Sequence, residues 1–143
     1  MTYDISECMK DVFAACVQAG ACVWQETEER EDDRKMPALN IENGYDRFTD
    51  PFDEESPLWH ELLFRMAENG IEKDSRAFMS DDGVVKRLEY HDANGLPIVQ
   101  YAMYRNACHA YFPAISRIAW EFLKDWSRDE KGQVYYMGVP AGE

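Results

Sequence analysis

Two residues of this sequence have side chains suited to passing a proton between them: Asp46, in the run Asn43-Gly44-Tyr45-Asp46, and His109, in the run Cys108-His109-Ala110. Imidazole is the side chain whose unperturbed titration falls nearest neutral pH, and general acid–base catalysis therefore uses it more than any other. A carboxylate beside it holds the ring in one tautomer and stabilises the imidazolium. The ring then takes a proton from a nucleophilic hydroxyl and later returns it to a leaving alkoxide. Cys108 adjoins His109, but neighbours on an extended turn point apart, so a thiolate–imidazole pair is not expected there. A metal site built from Asp46, His109 and another carboxylate is a third reading, one that no spacing motif supports. No glycine-rich phosphate loop calls for an organic cofactor.

The elements around these residues place both on loops that leave strands. Ile98, Val99, Tyr101, Ala102, Met103 and Tyr104 form a nearly continuous apolar run, the pattern of a strand covered on both faces. After His109, Pro113 suits a first helical turn, and Ile115, Ile118, Ala119, Phe122, Leu123 and Trp126 recur at helical spacing. His109 thus falls at the carboxyl end of a buried strand, the side on which open α/β sheets bind ligands. Ala38, Leu39 and Ile41 predict a second strand, and Asn43-Gly44 a turn in which both residues tolerate positive φ, which puts Asp46 in an equivalent position.

Between them, Ser56-Pro57 supplies an N-cap and a first-turn proline for a helix. Trp59, Leu62, Leu63, Met66 and Ala67 form its apolar face, His60 lies on the other face, and Asn69-Gly70 ends it. Phe13 to Gln18 reads as a further strand with a small-residue exit, and residues 2 to 10 as a short helix. Residues 25–35 are densely charged and read as a mobile, solvated loop. Ser80 to Gly83 reads as a turn. Val84 to His91 reads as an edge strand because neither of its faces is cleanly apolar, with His91 at its end facing solvent or a hairpin neighbour. Residues 131–143 read as a tail anchored by Val134, Tyr135 and Tyr136. The expectation is one α/β domain over residues 1–143, with a sheet of about three to four strands, flanking helices and an edge strand.

Composition narrows the function classes. At 143 residues the chain can bury a sizeable core, and 45% apolar residues mark it as globular. A net charge of −13 opposes binding to a phosphate backbone or to anionic lipid, so neither nucleic acid nor a membrane is an expected partner. Asp4, Glu7 and Asp11 stand where a signal peptide would be basic and then apolar, which fits a cytoplasmic chain. Cys8, Cys16, Cys22 and Cys108 read as small buried residues, with a Cys16–Cys22 or Cys22–Cys108 bridge open if the parent protein is exported.

Three stretches carry a family resemblance. MPALNIENGYDRF resembles the segment that bears the acid in α/β-hydrolase esterases of the polyhydroxybutyrate depolymerase and feruloyl esterase type. GLPIVQYAMYRNACHAYFPAISRIAWEFLKDWSRD is similar to their histidine-bearing carboxyl-terminal part, and DVFAACVQAGACV to the segment after their nucleophile helix. The resemblance implies a three-layer α/β-hydrolase sheet, carboxylic ester hydrolysis, and a Ser-Asp-His triad to which this chain contributes Asp46 and His109. The departure is that no G-x-S-x-G elbow occurs, since none of Ser6, Ser56, Ser75, Ser80, Ser116 and Ser127 has the flanking glycines.

The chain is therefore expected to be the carboxyl-terminal half of a hydrolase, inactive alone, with an ester as the parent enzyme's substrate. Its partner would be a missing amino-terminal half or a second copy covering the open sheet edge at Phe13 to Gln18. The competing expectation is a non-enzymatic interaction module that self-associates through that edge.

Overall fold

The apolar run predicted as a buried strand is the middle of the main sheet. The computed structural model describes residues 10, 12–20, 34–44, 54–105 and 113–142. Its main sheet has five strands: β1 (Cys16–Ala19), β2 (Ala38–Asn43), β3 (Phe78–Asp81), β4 (Val85–Tyr90) and β5 (Val99–Tyr104). Their spatial order is β1-β2-β5-β4-β3. β1, β2 and β5 run parallel, while β4 is antiparallel to β5 and β3 to β4. A mixed sheet of this kind follows from the connections. The strand-to-strand link holding helix α1 (Pro57–Glu68) allows a parallel return, whereas the short links 82–84 and 91–98 leave room only for antiparallel neighbours.

The two helices use the two faces of the sheet. Alternation along β2 sends Ala38, Asn40 and Glu42 to the α1 side, where Leu58 packs with Leu88 and Tyr101. Leu39, Ile41 and Asn43 point the other way, and Ile115 and Phe122 of helix α2 (Pro113–Leu123) join Leu39 and Ile41 in the main core. With both faces covered, all six residues of β2 are buried, including Asn40, Glu42 and Asn43.

Several sequence expectations need correction. The sheet has five strands where three to four were expected. β1 covers Cys16–Ala19, so Phe13 to Ala15 lie before the strand. Ser80 and Asp81 belong to β3, not to a turn, and the strand predicted at an edge, β4, lies between β3 and β5; the edge is the fully exposed β3. β4 fits there because Val85, Leu88 and Tyr90 are buried on two different faces.

Helix α2 stops at Leu123, and Trp126, predicted on its apolar face, opens strand β6 (Trp126–Arg128). The expected tail forms β7 (Val134–Tyr136) and β8 (Val139–Pro140), which complete a small antiparallel sheet with β6. Trp126 and Val134 of this sheet, and Ala141 just after β8, sit in the same core as the main one. Side-chain hydrogen bonds then tie it down. Asp92 accepts from Gly142 N at 2.6 Å, and Arg128 donates to the carbonyls of Phe13, Lys35 and Gly132 at 2.9, 2.6 and 2.8 Å.

Ser56 and Pro57 start α1 as expected, with the Ser56 hydroxyl accepting from Leu58 N at 3.2 Å. The face that α1 buries differs from the predicted one: it consists of Leu58, Glu61, Leu62, Arg65, Met66 and Glu68, while Trp59 and Leu63 are half-buried and Ala67 is exposed. Three charged residues face inward because they neutralise one another. Arg65 bonds Glu61 and Glu68, each at 2.9 Å, and Lys10 meets Glu68 at 2.6 Å. With its amide oriented so that the nitrogen faces Glu61, Gln18 on β1 closes the network, donating to Glu61 at 2.9 Å and accepting from Arg65 at 3.0 Å. Burial alone would lower the Arg65 pKa, but the neighbouring Cys16, Glu61 and Glu68 carry it above its ordinary value.

The predicted helix at residues 2 to 10, apart from Lys10, and all of the charged loop but Arg34 and Lys35 lie outside the described residues, as do Cys8, Cys22 and Cys108. Cys16 is buried, as expected.

Two stability predictions follow from these contacts. Glu68→Leu leaves Lys10 and half of the Arg65 guanidinium buried without their carboxylate and should cost ~3–5 kcal/mol in urea unfolding. Met137, at φ 49 beside Gly138 at φ 82, occupies a turn of the type I′ pattern that favours asparagine. Met137→Asn should therefore raise stability by about 0.5–1 kcal/mol in the same measurement.

Candidate functional site

The site begins with two parallel strands that end together. β2 and β5 pair from Ala38↔Val99 to Asn43↔Tyr104, so their carboxyl ends are level. Gly44 extends the ladder by one bond, donating to Tyr104 O at 2.8 Å. The glycine is needed for a reason other than the positive φ expected of an Asn-Gly turn. Asn43 remains in the strand and Gly44 has no positive φ, but a Cβ on Gly44 would lie 3.0 Å from the Tyr104 carbonyl oxygen.

Asp46 and His109 both lie outside the described residues. The chain reaches Asp46 two residues beyond Gly44 and His109 four residues beyond Arg105. The described residues place their points of departure side by side. Tyr111 and Phe112, candidates for a substrate pocket, are also outside the described residues, while Trp59 is half-buried on α1.

Three further groups at this edge escaped the sequence reading. Glu42 is 4% exposed and faces the α1 side. Asn43 is equally buried on the α2 side, and its Oδ1 has no hydrogen-bond partner among the described residues. Tyr104 is buried beside it; burial pushes its phenol up, opposed by the guanidiniums of Arg87 and Arg117, with Asp82 adding to the rise. The signal for them was present in the sequence. Once β2 is taken as a strand covered on both faces, the polar residues of ALNIEN must be buried too.

The β3–β4 hairpin tip forms one wall of the same edge, because β4 starts opposite the end of β5 at Val85↔Tyr104. Arg105 N donates to Val84 O at 2.8 Å, and the Arg105 guanidinium bonds Asp81. The bond from Arg105, with a further one from Gly83 N, holds Asp81 below the usual carboxylate range. Backbone bonds from Val85 and Val84, at 2.7 and 2.9 Å, do the same for Asp82. Two fixed negative charges thus line that wall, with Arg87 3.6 Å from Asp82.

The other titratable candidates lie elsewhere. His60 is exposed on α1, as expected. His91 follows the end of β4, and because Tyr90 pairs with Val99 this is the amino edge of β5, away from the site. Its ring stacks on Phe78 with centroids 4.4 Å apart, which makes it the hairpin neighbour the sequence allowed. Among the described serines, Ser56 caps α1 while Ser80 and Ser127 lie on exposed strand positions. Among the described residues, no group of three or more His, Cys, Asp or Glu side chains is arranged to hold a metal ion, and no helix is long and apolar enough to cross a membrane.

In comparison with known proteins, no family model matches the chain and no curated protein matches it significantly. The functional reading therefore rests on the strand ends from which Asp46 and His109 follow.

The close approach at Gly44 gives a direct test of how the strand ends are held. Gly44→Ala forces its methyl against a backbone oxygen fixed in the ladder. It should cost about 1–2 kcal/mol and reduce hydrogen-exchange protection at Gly44 and its β2 neighbours, with little change at β7.

Proposed function

We propose that Asp46 and His109 form the acid–imidazole pair of a carboxylic ester hydrolase site at the carboxyl edge of the sheet, the nucleophilic serine being carried on polypeptide other than residues 1–143. The observation that carries this reading is the level ending of β2 and β5, adjacent and parallel, with Gly44 bonded to Tyr104. Asp46 follows Gly44 by two residues and His109 follows Arg105 by four, so both segments start from neighbouring strand tips. The finer fold belongs to the same proposal: the parallel strands β1, β2 and β5 are part of an α/β-hydrolase sheet whose further strands lie beyond β1. The carboxylate orients the ring, the ring relays the proton between serine and alkoxide, and the substrate is a carboxylic ester.

A carboxylate within about 4–6 Å favours the charged imidazole. Followed by proton NMR, the titration midpoint of His109 should fall by about one pH unit on Asp46→Asn, with His60 and His91 unchanged as internal controls. An unchanged His109 midpoint would sink the pairing. The chain alone should hydrolyse p-nitrophenyl acetate no faster than free imidazole does, and saturable turnover would show that a nucleophile resides in this sequence after all.

A second reading, a non-enzymatic module that accepts a strand from another polypeptide, is favoured by β1. Among the described strands it pairs with β2 alone, which leaves its other side as a sheet edge.

A further inference from the structure

The opposite edge of the sheet carries features that neither reading uses. β3 is exposed at all four positions, Phe78 and Met79 being 60% and 67% exposed, and Val84 at the hairpin tip is 59% exposed. Edge strands are ordinarily guarded by shortness, charged side chains, proline or a bulge; β3 is short and ends on Asp81, but Phe78-Met79-Ser80 carries no charge, proline or bulge. We propose that β3 pairs with β3 of a second copy of this chain, antiparallel and about a two-fold axis at Met79, joining two five-stranded sheets into one of ten.

The hydrogen-bonding direction requires the axis to lie at a residue, and the charges select which one. Asp82 N donates to Val85 O, so by the alternation of an antiparallel ladder Phe78, Ser80 and Asp82 bond toward β4. Met79 and Asp81 then present their N–H and C=O groups outward. With the axis at Met79, Met79 faces Met79 of the second copy, and Asp81 faces Ala77. Outward-bonding residues meet one another, and the two exposed methionines become a cross-strand pair.

Continuing the pairing outward sets Arg76, exposed just before β3, opposite Asp82 of the second copy, and the symmetry repeats this contact. Asp82 is already held in its charged form by the hairpin. Moving the axis to Phe78 would set Asp74 against Asp82. Moving it to Ser80 would set Phe78 against Asp82 and leave Arg76 facing Val84. Of the three, the Met79 register alone sets Arg76 against Asp82, while Asp81 faces Ala77 and Phe78 faces Ser80. A contact built on one short strand belongs to the weak, transient size class, so the dimer is a concentration-dependent one.

Sedimentation velocity on the full chain, over a concentration series into the millimolar range, tests this. A shift from monomer to dimer is expected, with Met79→Lys abolishing it and Val17→Lys on β1 leaving it intact, each variant checked for its fold by circular dichroism. Arg76→Glu and Asp82→Arg should each prevent dimerisation alone, and a mixture of the two should restore it, because both cross-strand pairs are then opposite in charge. A monomer throughout the series would overturn the proposal, as would a dimer insensitive to Met79→Lys. This result is independent of His109 titration, so the interface and the hydrolase reading can fail separately.

Discussion

The parallel pairing of β2 with β5 is the constraint on which the rest of this structure depends. Six residue pairs in register make the two strands finish together, and the bond from Gly44 to Tyr104 carries the match one residue past the strand. Everything proposed for the carboxyl edge needs that coincidence of ends. A slip of one residue would turn Leu39 and Ile41 out of the α2 core and bring Asn40 and Glu42 into it, so the apolar burial on one face fixes the register that the site uses. Packing and the proposed site make the same demand on this strand.

A cost accompanies this arrangement. A strand covered on both faces has no solvent side on which to place polar groups, yet β2 carries Asn40, Glu42 and Asn43, all buried. The helix face on the α1 side is itself partly charged. The Glu61, Arg65 and Glu68 side chains of α1, with Gln18 of β1 and Lys10, form a neutral set of charges in which each group meets an opposite one. Such a set adds little to stability compared with an apolar core of the same volume, but losing one member is severe. Its effect is to fix how α1 lies on β1, since an apolar face would tolerate sliding whereas hydrogen-bonded charges do not. Asn43, on the other side, has an acceptor oxygen that no described group satisfies, and it sits next to the strand end from which Asp46 follows.

What could be read from the sequence divides along physical lines. Local signals were sufficient for the α1 start at Ser56-Pro57, the stop at Asn69-Gly70, and the strands around Ala38 and Val99, because each depends on residues close in sequence. The errors arose where a distant partner decides. β4 has no clean apolar face because it is interior with helix and sheet on different sides, and its alternation therefore imitated an edge strand. Trp126 continues the helical spacing of α2, but the chain turns at Lys124 and Asp125 because Met137 N bonds the Asp125 carbonyl, a contact invisible without β7. The charged part of the buried α1 face was not read, because single residues give no hint that Arg65 meets Glu61 and Glu68, and Glu68 meets Lys10. For the candidate site, the sequence indicated which loops to consider, and the structure added that their parent strands are neighbours.

The direction of the strands also determines how association and chemistry would coexist. β4 runs against β5, so its starting turn rises at the carboxyl edge, and Asp81, Asp82 and Arg105 stand beside the strand ends of β2 and β5. β3 therefore runs away from its amino end at the far edge of the sheet toward this wall. A two-fold axis through Met79 reverses the second copy, which places its hairpin tip beside Arg76 of the first and its own carboxyl edge on the opposite side of the joined sheet. The two candidate sites then open in opposite directions, and neither copy covers the strand ends of the other. An antiparallel contact at β3 thus leaves β1 at both outer ends of the ten strands, still able to receive a further strand. In this geometry pairing at β3 and strand addition at β1 do not exclude each other, because they use opposite edges of one sheet.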